Sequence, residues 1–221
     1  MTTASASDLV EELPVLQRLA LAYAPAPVRL PTLALFALDT RLAAILRAAR
    51  EPMLAQLRLA WWREQLKADV ATWPEGEPLL ASLRSWEGRL PVLAALVDGW
   101  EAMTGAAPLP ADALLALAEA RGRAFAALAD LAGVAEQAVV AGETGTAWAL
   151  ADLANRLTHP DERRLALDLA QARVPSRSRL SCRLRPLTVL HGLALRSPGQ
   201  DRSAPAITSW LAALRLGLLG R

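Results

Sequence analysis

Apolar residues recur at three- and four-residue spacings along most of the chain, and Pro and Gly punctuate them. Asp8 and Glu11 have the spacing of a capping box and predict a first helix over about 9–23, stopped by Pro25 and Pro27. Pro31 opens a second helix over 32–50, and Pro52 a third that ends before Trp73-Pro74. The stretch WPEGEP at 73–78 reads as a loop. Further helices are predicted over 79–86, 91–103, 111–133, 134–158 and 161–173. An irregular basic segment follows at 174–185, then two last helices near 187–195 and 206–218, separated by a polar loop at 197–204. No run alternates with a period of two, so no sheet is expected.

The third helix lies in EPMLAQLRLAWWREQLKAD, residues 51–69. Met53, Leu57 and Trp61 recur at spacings of four, and Leu54 and Leu66 extend their stripe, which predicts a core-facing side. Arg58, Arg63 and Lys67 flank it. Neighbouring residues on a helix point about 100° apart, so only one of Trp61 and Trp62 is expected to enter the core, against the second helix. Gly122 marks a kink or a close-packing point. Gly142 and Gly145 weaken a helix but let a neighbouring backbone or a ligand approach.

Composition narrows the picture. The chain has 221 residues, enough for a real core, and one domain over 1–221 is the simplest organisation. The 53% hydrophobic content is mostly Ala and Leu, which favours closely packed helices. Lys67 is the only lysine, so Arg supplies nearly all of the positive charge, yet the net charge of +2 is too small to imply nucleic-acid binding. Cys182 stands alone, and His159 and His191 are far apart, so neither a disulfide framework nor a zinc pattern is present. The first residues lack a secretory or transit pattern, and no apolar run reaches about 18 residues without a charge. A cytoplasmic protein is expected, with at most peripheral membrane contact.

Residues 31–69 carry a more specific signal. Leu35-Phe36-Ala37-Leu38-Asp39-Thr40-Arg41, then Glu51-Pro52, then Arg58-Leu59-Ala60-Trp61-Trp62-Arg63 resemble the squalene/phytoene synthase family, in particular its bacterial phytoene-synthase-like branch. The resemblance is weaker over 96–101 and 142–157 and slight in the last quarter. It implies an all-α, single-domain isoprenoid synthase fold, shortened at its C-terminal end. It also implies a link to isoprenoid biosynthesis, with a prenyl diphosphate or a lipid-like molecule as ligand. An active member would be a prenyltransferase using Mg²⁺ held by two facing Asp-rich motifs. Other members are non-catalytic and work as assembly factors for respiratory complex I, so a protein partner is the alternative.

This chain departs from the motifs. At the first, Asp39 has no second carboxylate; position 43 is Ala43. At the second, Asn155 takes the family's Asn position, but His159 and Arg163 stand where carboxylates belong. Asp98 and Glu101 remain as a pair able to contact a cation or to form a polar helix edge. Arg41, Arg58 and Arg63 are the candidates for holding a diphosphate; surface pairing with Glu64, Asp39 or Asp69 is the other reading. Phe36, Trp61, Trp62, Trp148 and Asn155 are the candidate cavity lining, and Trp100 could join them; packing into the core is the more usual role for such tryptophans. Arg173, Arg177, Arg179, Arg183 and Arg185 form either a contact for anionic lipid or a solvated loop. The resemblance further implies an apolar pocket of about 300 Å³ or more between the helices over 31–50, 52–67 and 134–157. With its motifs degenerate, the chain is expected to lack normal Mg²⁺-dependent condensation activity.

Overall fold

The computed structural model describes residues 6–49, 51–173 and 179–194. Ten α-helices and five short 3₁₀ turns make up its regular structure, and no strand occurs among the described residues. The helices are α1 (Ala6–Glu12), α2 (Val15–Ala22), α3 (Ala26–Ala48), α4 (Pro52–Lys67), α5 (Pro78–Leu83), α6 (Leu90–Glu101), α7 (Ala111–Leu131), α8 (Ala138–Arg156), α9 (Pro160–Ala172) and α10 (Arg185–Ala194). None of them is long and apolar enough to cross a membrane. The helix and loop expected over 197–218 lie outside the described residues, as do Arg50 and Arg177.

Two proline positions move the predicted boundaries. The single helix expected over 9–23 is broken at Leu13-Pro14 into α1 and α2. Pro14 has no N–H to give and disfavours the helical conformation of the residue before it. Asp8 then lies in the first turn of α1 rather than capping it. Conversely, Pro31 does not open α3 but lies inside it, five residues after Ala26. One ladder bond is lost there. The burial of Leu33 to Leu38 without a break offsets that loss.

The helices enclose one apolar core. α7 and α8 form the most extensive pair, α6 packs on α7, α4 packs chiefly on α6, and α9 and α10 pack on α8. α3 runs through the middle, touching α4, α5, α6 and α7. Its Phe36 ring meets Phe125 of α7 edge-on at 6.3 Å, and Phe125 meets Trp148 of α8 at 5.5 Å. Trp86 is fully buried and donates its indole N–H to the Pro31 carbonyl at 2.9 Å.

The buried side of α4 keeps only Leu66 of the predicted stripe. Ala55, Leu59, Trp62 and Leu66 face inward. Trp62 is 4% exposed and Trp61 40%, with their rings edge to face at 5.0 Å. Met53 (74%), Leu57 (69%) and Leu54 lie on the outer side. Both stripes have helical spacing, so periodicity alone does not choose between them.

The glycines of α7 and α8 fix how close those helices come. A methyl group at Gly122 would fall on the Thr146 hydroxyl and lie 2.7 Å from the Gly142 carbonyl. One at Gly145 would lie 2.8 Å from the Phe125 ring. The approach is therefore of backbone to backbone, with no ligand space beside these glycines. Gly142 differs, since a methyl there would meet Ala126 at an ordinary 3.5 Å. Gly122→Ala is accordingly expected to lower unfolding free energy by about 1–3 kcal/mol through overpacking. Gly142→Ala should raise it by about 0.5–1 kcal/mol, because the helix loses a glycine without a clash. Urea unfolding of the two variants beside the parent measures both, and a common sign for the two would contradict the packing described.

Candidate functional site

At the centre of the core an arginine is held between two carboxylates from different helices. Arg121 comes from the middle of α7, Asp39 from α3 and Asp152 from α8. The Asp39 carboxylate accepts from Arg121 Nε and Nη2, both at 2.9 Å. Arg121 Nη1 reaches Asp152 at 3.3 Å, and Arg156 Nε donates to the same carboxylate at 2.8 Å. Trp100 of α6 donates its indole N–H to Asp39 at 2.8 Å. The guanidinium carbon also lies 5.0 Å from the Trp100 ring and 5.3 Å from that of Trp148.

The electrostatics follow from this cage. Asp39 and Arg121 are both buried. Burial by itself would pull the guanidinium pKa down, but the two carboxylates more than compensate and raise it above its usual value. Two formal positive charges, on Arg121 and Arg156, balance two negative ones, on Asp39 and Asp152. Every charged group of the cluster thus has an opposite partner, which is the condition for burying it at tolerable cost.

Beside the cage lies a cavity of about 10 Å³, room for one water-sized sphere. Leu35, Phe36, Leu96, Phe125 and Trp148 line it together with Asp39 and Arg121. Between α3, α7 and α8 the edge-on Phe36, Phe125 and Trp148 rings and Arg121 occupy the interior, and the space beside them is far smaller than the pocket of about 300 Å³ expected from the resemblance.

The other candidates from the sequence are dispersed. Asp98 and Glu101 project from α6 and both grip Arg63 of α4, with Arg63 Nε to Asp98 at 2.6 Å. This candidate diphosphate ligand and these candidate metal ligands therefore satisfy one another, and Asp39 does not join them. Burial opposes the Arg63 charge, while bonding to the two carboxylates raises its pKa overall. Arg41 pairs with Glu12 at 3.2 Å and Glu77 at 3.7 Å, tying α3 to α1 and to the start of α5. Arg58 lies exposed on α4. Of the candidate cavity lining, Phe36 and Trp148 reach the small cavity; Trp61, Trp62 and Asn155 do not. Among the described residues no group of three His, Cys, Asp or Glu side chains is placed to hold a metal ion. The described side chains thus do not fit a Mg²⁺ site of the kind the motifs would provide.

Arg121, Asp152 and Trp100 complete the cage, and none was picked out as a partner of Asp39 from the sequence. A signal was there: Leu114, Ala118, Arg121, Phe125 and Leu128 follow alternating steps of four and three on α7, so Arg121 sits within an apolar stripe. An arginine in such a stripe calls for a buried carboxylate.

The cage makes a non-additive prediction. Asp39→Leu and Arg121→Met are each expected to cost about 3–5 kcal/mol, because each strands a buried charge. The double variant should cost clearly less than the sum, and less than the worse single change. A double-mutant cycle by denaturant unfolding gives the coupling; additive costs would mean that the two groups are not partners.

Compared with models of protein families, with curated proteins and with solved structures, the chain gives no match.

Proposed function

We propose that this chain is a non-catalytic helical protein related to the squalene/phytoene synthase family, acting as a binding or assembly factor rather than as a prenyltransferase. The reading begins from the resemblance of residues 31–69 and rests on one observation, the position of Arg121. Asp39 belongs to the helix that resembles the first motif and Asp152 to the helix that resembles the second. A cation-dependent ionisation needs exchangeable metal ions between such helices, with room beside them for a diphosphate and its tail. Here a covalently tethered guanidinium holds that place and the adjoining space takes one water-sized sphere. A guanidinium in a cage of this kind neither leaves nor opens coordination sites.

A protein partner fits this reading better than an internal lipid ligand, since the centre of the helical core is filled. Isoprenoid biosynthesis would then be the chemistry of the chain's relatives by descent, not its own reaction. The test is incubation of the purified protein with farnesyl or geranylgeranyl diphosphate and Mg²⁺, with products followed by mass spectrometry. No squalene-, presqualene- or phytoene-type product is expected above the protein-free control. Steady product formation that Asp39→Ala abolishes would defeat the proposal.

A further inference from the structure

α10 closes one side of the core, burying Leu187, Leu190 and Leu193 against α2 and α8. His191 lies in its last turn, and the ring nitrogen Nε2 is buried with no hydrogen-bond partner. A neutral imidazole leaves one weak donor or acceptor unmet there. An imidazolium carries a proton on both nitrogens and would place charge in an apolar contact. Burial accordingly lowers the His191 pKa below its ordinary value.

Among the described residues, no hydrogen-bond acceptor meets His191 Nε2 to compensate that charge. Among the described residues, the charged and titratable groups on the elements packed against it are Arg18 and Tyr23 of α2 and its end, Glu143, Asp152 and Arg156 of α8, and Cys182 and Arg183 of the preceding 3₁₀ turn. Arg185 belongs to α10 itself. None bonds to His191 Nε2. Asp152 is already shared by Arg121 and Arg156, and Arg183 donates to the Ala132 carbonyl at 2.6 Å.

We propose that α10 is a pH-released clasp, in which protonation of His191 loosens this helix from α2 and α8 while the paired helices α7 and α8 stay folded. Docked, the ring prefers to be neutral; released, it titrates near the ordinary histidine value of about 6.5. The docked state therefore binds fewer protons. Its advantage is complete above that pH and declines as the pH falls below it, by up to about tenfold in the opening equilibrium per pH unit. The decline ends at the lowered pKa of the docked ring. Release uncovers the Leu187–Leu190–Leu193 strip of α10.

Amide hydrogen exchange of the whole protein, corrected for intrinsic rates, tests this about one unit above and one unit below pH 6.5. Protection of the α10 amides is expected to fall severalfold on acidification, while that of the α7 amides holds. In His191→Gln and His191→Leu the selective fall should vanish. If α10 and α7 respond alike in the parent protein, or if the fall persists in His191→Gln, the clasp is not built on this ring. The parent comparison decides alone should either variant fail to fold.

Discussion

Four helices of this structure meet at one guanidinium. Asp39 brings α3 to it, Trp100 brings α6, Trp148 and Asp152 bring α8, and Arg121 stands on α7. Removing an arginine from water is expensive, and the expense is met only when geometry and partners are right. Each helix must therefore arrive in a particular register for the others to be tolerated. A core of Ala and Leu alone would pack in several nearly equivalent ways, since its side chains are small and alike. The buried charges penalise slipped arrangements, because a slip of one residue strands an ion in apolar surroundings. Its contribution to net stability is modest beside this selection of one arrangement.

The same feature bears on function. Metal-dependent centres hold their cations by exchangeable bonds, and their strength comes from being able to take up and release charge with the substrate. A tethered cation held by two carboxylates and flanked by indole rings has settled its charge balance permanently. What it offers is rigidity. Arg63, which grips Asp98 and Glu101 between α4 and α6, repeats the pattern nearer the surface.

Much of the helical layout is readable from Pro and Gly because their effects are local. Pro52, Pro78 and Pro160 each sit at the first position of a helix, and Gly133, at φ +67°, follows the end of α7. Pro14 and Pro31 show the limit of such reading. The first breaks a helix, while the second is absorbed within one whose following residues are buried without a break. The orientation of α4 is less legible, because its two apolar stripes have the same period and the elements it packs on, chiefly α6, select one. The site was least legible of all. Asp39 could be singled out by its place in a recognisable stretch, but its partners lie 61 and 82 residues away, and nothing local connects them.

The placement of the tryptophans gives the molecule distinct built-in optical probes. Trp61 is open to solvent, while its neighbour Trp62 is enclosed and the two rings touch. An aqueous quencher reaches the first and spares the second, so events at the outer side of α4 can be read apart from those inside. Trp100 and Trp148 flank the Arg121 guanidinium. Their indole rings sit in the electric field of that cation, so the environment of both changes when the central cage opens.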